Sequence, residues 1–358
     1  MLYEILLPLQ ATHSVFNVFR YITFRTMLAG LVSLVLSLWL GPPLIRWLAS
    51  AKAGQPIRGD GPESHLVKAG TPTMGGMLIL FSGSLSTLLL ADLGDGYVWL
   101  CLLTMLGFGA IGFADDYRKL RGKSSKGLSA RAKLGLQVLV ASIAAIWLAN
   151  HPGFGTTINV PLFKDFRPDL GWWYVPFAVF VIVGASNAVN LTDGLDGLAI
   201  GPVVIAAGTC GIFAYVAGHA RIAEYLQVEA VPGAGELMVF SGALAAAGLG
   251  FLWFNAYPAQ MFMGDVGSLS LGAALAMVAL ASNQPLILPL LGFVFVAEAV
   301  SVMVQVASYK TRRRRVFRMA PLHHHFELLG WPEPQIIVRA WIIAAVCALL
   351  SLATLKLR

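Results

Sequence analysis

Asn255-Ala-Tyr-Pro-Ala-Gln-Met-Phe-Met-Gly-Asp265-Val-Gly267 is a short polar break between two long apolar runs, at about 236–254 and 263–282. A helix that spans a bilayer needs roughly 20 mostly apolar residues, and both runs meet that length. The break ends in a carboxylate flanked by glycines. Gly264 and Gly267 let backbone approach a ligand closely. A carboxylate at a membrane boundary is usually solvated, yet an ionisable group beside spanning helices also marks a candidate functional site. Asn255 and Asp265 offer metal or substrate contacts. Phe262 can stack on a base, although a lone Phe near a membrane is more often a lipid or core contact.

Composition extends this reading to the whole chain. Of 358 residues, 57% are hydrophobic and 12% charged, and the mean hydropathy is +0.74. A soluble domain carries about 25% charge, so the expected fold is all-α, a polytopic membrane protein. Ten spans are expected, at about 26–46, 72–91, 97–114, 132–149, 172–190, 198–217, 236–254, 263–282, 286–307 and 338–356. Evenly spaced runs without a long polar insert imply one domain over 1–358. Residues 1–25 are amphipathic and suit the membrane interface. The first apolar run is too long and too late for a cleaved signal peptide. Cys101, Cys210 and Cys347 lie inside apolar runs and read as small core residues, without disulfide or zinc spacing.

Lys and Arg set the orientation. The alternate connections 46–71, 115–133, 190–197, 255–262 and 308–337 hold 17 of the 25 basic residues. They are therefore expected on the cytoplasmic side, with both termini on the outer side. A net charge of +7 suits anionic lipid head groups and phosphorylated substrates; nothing points to nucleic acid. The run Arg312–Arg315 reads best as a topology signal.

Four further polar breaks fall on that same face. Lys68-Ala-Gly-Thr-Pro-Thr73-Met-Gly-Gly76 places Pro72 in a helix first turn, where backbone N–H groups can cradle an anion; a plain helix start explains it equally well. Asp115-Asp116-Tyr-Arg-Lys119 opens a basic segment that runs to Lys133 through Lys123 and Lys126. A solvated loop is the plain reading, but an acidic pair at a helix C-terminus is electrostatically unfavourable. Paired Asp with nearby Lys suits Mg²⁺-assisted phosphoryl transfer. In Asn187-Ala-Val-Asn190-Leu-Thr-Asp193-Gly-Leu-Asp196-Gly, a three-residue spacing puts Asn187, Asn190 and Asp193 on one helix face. Such groups can read a nucleobase, hold a ribose or share a metal, and four are more than a helix cap needs. Finally, Pro321-Leu-His323-His324-His325-Phe-Glu327 makes a poor three-His zinc site if helical; if extended, it can line a phosphate or move a proton.

These motifs, in this order and over essentially the whole chain, resemble the polyprenyl-phosphate N-acetylhexosamine-1-phosphate transferase superfamily, and within it the phospho-N-acetylmuramoyl-pentapeptide transferases. The resemblance implies transfer of phospho-MurNAc-pentapeptide from UDP to undecaprenyl phosphate, giving lipid I and UMP, the first membrane step of peptidoglycan biosynthesis. It further implies a requirement for Mg²⁺, location in the bacterial inner membrane among its lipids, a cytoplasmic active site and ten spans. A homodimer is left open. By resemblance, Asp265 is the metal ligand, and Asp115 and Asp116 lie at the catalytic centre near the lipid phosphate. Asn187, Asn190, Asp193, Asp196 and Phe262 line the nucleotide side. Lys68, Thr73, Lys119, Lys133, Asn255, His323, His324 and His325 are polar substrate contacts. A related enzyme using UDP-GlcNAc is the alternative; the Pro-Leu-His-His-His-Phe-Glu block argues against it, since that branch has another histidine pattern. A transporter would need ionisable residues at helix centres, where only Glu298 lies. A membrane scaffold would not need the Asn/Asp constellation.

Overall fold

A computed structural model gives the architecture. It describes residues 1–51, 70–122, 127–161, 163 and 166–356, so Lys68, Lys123 and Lys126 lie outside the described residues. The principal helices are α1 (Ile22–Ser50), α2 (Gly76–Leu90), α3 (Gly96–Gly122), α4 (Ala130–Ala149), α5 (Tyr174–Thr192), α6 (Ile200–Gly218), α7 (Leu237–Asn255), α8 (Gly264–Ala281), α9 (Phe293–Arg312) and α10 (Glu333–Ala353). Among the described residues nine helices are long and apolar enough to cross a membrane, and α2 is a shorter apolar helix of 15 residues. The described residues hold no β-strand; Thr157 and Asp169 form an isolated antiparallel bridge.

The short helix α2 departs from the expected span at 72–91, and the reason is local. Residues 72–75 are spent on the neighbouring break. Phe262 N–H donates to Pro72 O at 2.8 Å, Gly75 N–H to Phe262 O at 2.8 Å, and Gly76 N–H to Met263 O at 2.9 Å. The two Gly-containing breaks are thus laced together by backbone hydrogen bonds, and helix begins only after the lacing ends. The opposite departure occurs in α3. It continues to Gly122, so Asp115 and Asp116 sit well inside the helix rather than opening a loop. The expected penalty for acidic groups at a helix C-terminus does not apply to them. The expected span at 286–307 begins later, at Phe293, after two short helical turns at Pro285–Ile287 and Leu288–Leu291.

Helix α8 is the hub. It packs against α3, α5, α6 and α2, and nearly all of it is buried. Its run of Gly, Ala and Ser gives backbones room to approach; small residues serve this purpose at helix interfaces in membranes. Gly112 of α3 abuts the Asp265 carbonyl of α8 so closely that a Cβ there would collide with it. This contact sets the N-terminus of α8 directly against the α3 segment that carries the acidic pair. The three cysteines are buried and unbridged.

The N-terminal segment also differs from a purely interfacial one. It folds into short helical turns at Leu2–Leu6, Pro8–Ala11 and Ser14–Arg20, but Arg25 is buried in α1. Its guanidinium meets both Glu236 oxygens at 2.6 Å. Asp92 N–H donates to the same carboxylate at 3.0 Å, and the Tyr3 ring covers the guanidinium at 4.2 Å. This knot ties α1, the α2–α3 turn and the start of α7 at the end of the bundle opposite Asp265.

Candidate active site

The site end is assembled from the ends of α4, α5 and α8 around an interior turn of α3. Asp115 and Asp116 come from α3, Asp265 from the first turn of α8, Lys133 from the first turn of α4, and Asn190 from the last turn of α5. Oxygen atoms of the three aspartates lie within 4.8 Å of one another. Lys119 is one turn beyond the acidic pair on α3, the spacing at which helical side chains meet. Its Nζ reaches all three carboxylates: 2.6 Å to Asp115 Oδ2, 3.2 Å to Asp116 Oδ1 and 3.0 Å to Asp265 Oδ2. Lys133 Nζ meets Asp265 Oδ2 at 2.6 Å and lies 3.9 Å from Asp115 Oδ2.

Every carboxylate oxygen has a polar partner. Leu128 N–H donates to Asp115 Oδ1 at 2.6 Å, Val266 N–H to Asp116 Oδ2 at 3.2 Å, and Asn190 Nδ2 to Asp265 Oδ1 at 2.7 Å. Gly264 has φ +72° and faces Asp116 Oδ2 and Thr73 Oγ1 at distances a Cβ would violate. That left-handed conformation and tight fit are open to glycine at little cost. They bring buried Thr73 beside the acidic pair.

The donor set fits a hard divalent cation. Mg²⁺ is held through one or two carboxylates, with water and substrate phosphate completing its shell. Here three carboxylates surround one position, and the Lys119 ammonium marks it as a place where positive charge is stabilised.

The loop after α5 forms a second group. Burial pushes the Asp193 carboxyl up to about 8, and the carboxylates Asp265, Asp116 and Asp196 add to the shift. Asp196 is buried; its N–H donates to Glu333 Oε1 at 3.0 Å, and its Oδ2 accepts from Ala259 N–H at 3.0 Å. Asn255 accepts from Gly197 N–H at 3.0 Å and donates to Met261 O at 2.9 Å. These two residues pin the 193–197 loop to the 255–264 break. The Phe262 side chain stands half-buried on that break.

Asn187 and Asn190 share a helix yet reach different neighbours. Asn190 turns to Asp265 and to Ser268 Oγ at 2.8 Å. Asn187 donates to Gln137 Oε1 and Val183 O, each at 2.8 Å.

The three histidines lie on a short helix, Leu322–Glu327, and diverge as consecutive helical residues must. His323 is buried; its N–H donates to Glu298 Oε1 at 3.2 Å and its Nδ1 is 3.3 Å from Glu298 Oε2. The far edge of that ring packs on Gly194. His324 Nδ1 sits 2.7 Å from Glu327 Oε2, and His325 Nδ1 accepts from Arg318 N–H at 3.1 Å. His323 thus touches the Asp193–Gly197 loop directly.

Sequence reasoning missed Ser268, Gln137 and Glu333, and read Glu298 only as an isolated intramembrane acid. Ser268 and Gln137 each follow a site residue at helical spacing, three after Asp265 and four after Lys133. That periodicity was the signal available for them.

A family model for "Glycosyl transferase family 4" matches residues 98–283, and "Phospho-N-acetylmuramoyl-pentapeptide-transferase signature 1" matches residues 68–80. Two proteins named phospho-N-acetylmuramoyl-pentapeptide-transferase are similar along their whole length. The one from Desulfatibacillum aliphaticivorans is 61% identical over 360 residues, and the one from Syntrophus aciditrophicus 56% over 359; each alignment covers 100% of both chains. With the signature segment and all three carboxylates inside the matched regions, the chain belongs to the phospho-N-acetylmuramoyl-pentapeptide-transferase family.

Proposed function

We propose that this protein transfers phospho-MurNAc-pentapeptide from UDP to undecaprenyl phosphate, releasing UMP and forming lipid I, at the cytoplasmic face of a bacterial inner membrane. Full-length identity of 55–61% to proteins bearing the transferase name carries the reading. The chemistry of the site supports it. Two anionic substrates, one of them a lipid, must meet, so their repulsion has to be offset at the end of a membrane-spanning bundle. Lys119 and Lys133 stand there beside three carboxylates. The excess of Lys and Arg in the connections on that side supports its cytoplasmic placement.

Asp265 is the proposed principal ligand of Mg²⁺, with Asp115 and Asp116 in reach of the same ion. When bound, the ion supplies charge neutralisation on the pyrophosphate. The lipid phosphate oxygen attacks the phosphorus attached to the sugar. A new P–O bond forms, the bond to the bridging oxygen breaks, and UMP leaves with the electron pair. Lys119 and Lys133 steady the charge that shifts onto the phosphate oxygens. Direct attack is favoured over a phospho-enzyme because each Asp oxygen is already engaged by an N–H or ammonium group. Such engagement lowers a carboxylate's nucleophilicity. Phosphate monoesters are themselves largely ionised near neutral pH. In this reading the half-buried Phe262 and the 193–197 loop receive the nucleotide.

Purified protein supplied with undecaprenyl phosphate and Mg²⁺ should release UMP from UDP-MurNAc-pentapeptide and not from UDP-GlcNAc. Release from UDP-GlcNAc alone would assign it to the other branch of the superfamily.

A further inference from the structure

We infer that Gln137, through Asn187, is a positioning residue that sets the spacing of Lys133 and Asn190 on Asp265. The inference rests on the transferase reading for its kinetic consequence but not for its geometry.

Helix α4 presents a narrow buried stripe: Gln137, Ala141, Ala144, Ala145 and Leu148. Apart from Gln137 the stripe is apolar and mostly small, as suits close helix packing in a membrane. Gln137, only 1% exposed, is therefore the one polar group that α4 commits to this interface. It lies four residues after Lys133, hence directly beneath it on the same helix face. Its Oε1 accepts from Asn187 Nδ2 at 2.8 Å. Asn187 lies three residues before Asn190, again one turn away on the same face. The amide pair thus joins α4 to α5 one turn from the residues that hold Asp265, Lys133 on Oδ2 and Asn190 on Oδ1.

That joint steadies Lys133, which sits at the start of α4, where its N–H makes the first helical bond, to Ser129 O at 2.9 Å. Before it stands a single helical turn, capped by the Ser129 hydroxyl, which accepts from Ala132 N–H at 3.3 Å. An apolar contact one turn deeper would hold the helices together yet leave their axial register free to slide. A hydrogen bond fixes direction as well as distance. The second hydrogen of Asn187 is anchored on Val183 O of its own helix at 2.8 Å, so the amide cannot rotate without losing both bonds. Gln137 Nε2 has no hydrogen-bond partner among the described residues. A buried unpaired donor is costly, which argues that the residue is kept for orientation rather than for packing.

The test compares wild type, Gln137→Leu, Asn187→Leu, and the swap Gln137→Asn with Asn187→Gln, which preserves the summed length of the pair. Each Leu variant keeps side-chain bulk. Each should lose about tenfold to a hundredfold in kcat, the scale of a small misplacement of reacting groups, with KM for the UDP-sugar changed less than about threefold. The swap should recover most of the loss. A purely structural role would lower Tm without this kcat-against-KM split and without rescue. A second readout needs no turnover. Acetylation of the Lys133 amine, scored by mass spectrometry against exposed Lys310, should rise in both Leu variants and return in the swap. Unchanged Lys133 labelling and kcat in Gln137→Leu would overturn the inference. A wild type that releases no UMP would overturn the transferase reading and leave the labelling comparison to decide this one.

Discussion

Two ion-pair knots stand at opposite ends of the bundle, and they are built differently. The far knot matches one cation to one anion: Arg25 and Glu236 are joined by two 2.6 Å contacts, with side chains 2% and 11% exposed. The near knot sets two lysines among three carboxylates, and Lys119 and Lys133 remain 27% and 19% exposed. A balanced, closed pair leaves nothing for a ligand to complete, so the Arg25 knot is a fastening. The near knot carries an excess negative charge and cations that solvent can still reach. It is an arrangement that gains from a divalent ion and from phosphate oxygens. Burial and charge balance together, more than the presence of charge in a membrane protein, separate a site from a clamp.

The largest expected effect is at the near knot. Asp265→Asn keeps shape and removes charge; it should weaken Mg²⁺ binding and abolish UMP release. Asp115→Asn and Asp116→Asn should also lose most turnover. Because all three carboxylates lie within reach of one ion, Mg²⁺ titration of each variant decides how they divide the work. A loss of Mg²⁺ affinity in Asp115→Asn as complete as in Asp265→Asn would make the acidic pair part of the metal site.

The far knot should respond in stability instead. Arg25→Leu strands the Glu236 carboxylate, and removing one partner of a buried pair costs about 3–5 kcal/mol. The expected outcome is a lower Tm in detergent with unchanged KM for the UDP-sugar in the folded fraction. A changed KM would mean that the two ends are coupled through the helices between them.

The sequence showed the polar breaks, and the structure explains why it could not show their joinery. Apolar length announced helices without revealing that Pro72–Gly75 would be drawn into pairing with Phe262 and Met263, which shortens α2. Helical spacing placed Asn187 beside Asn190, but a spacing cannot tell which of two neighbouring helices each amide meets. Gln137 drew no reading at all from the sequence, because its partner lies 50 positions away. Arg25 read as interfacial because Glu236, its partner, lies 211 positions on. The carboxylates were legible because their chemistry has few structural uses. Asn255 and Asp196 were legible as candidate substrate contacts; their loop-pinning bonds depend on tertiary approach.

A smaller effect follows from the loop beside the near knot. The Asp193 carboxyl in the folded protein is raised to about 8 from an ordinary value near 3.8. The folded state therefore holds that proton more tightly than the unfolded state does. Its stabilising contribution is complete below about pH 4 and is lost as pH rises through about 8. In Mg²⁺-free buffer, Tm should fall across that window, and Asp193→Asn should flatten the fall. Mg²⁺ should flatten it as well, by offsetting the negative charge of Asp265 and Asp116. A wild-type slope that Asp193→Asn leaves intact would place the titrating group elsewhere.

The smallest predicted effect tests the edge of the near knot. Phe262 is fixed by backbone hydrogen bonds on both sides, its N–H to Pro72 O and its carbonyl to Gly75 N–H, each at 2.8 Å. Truncating its side chain therefore leaves the course of the chain intact, and Phe262→Ala reports on the ring alone. Stacking on a base is made in the ground state and the transition state alike, so its loss should raise KM more than it lowers kcat. Base–aromatic stacking is worth roughly 1–3 kcal/mol, which corresponds to a rise in KM of about tenfold or somewhat more. The Mg²⁺ dependence should stay as in wild type, since the ring bears no charge and Asp265 is held by Lys119, Lys133 and Asn190. A normal KM with a lowered Tm would make Phe262 a packing residue of the break and move the nucleotide's aromatic contact elsewhere on the rim.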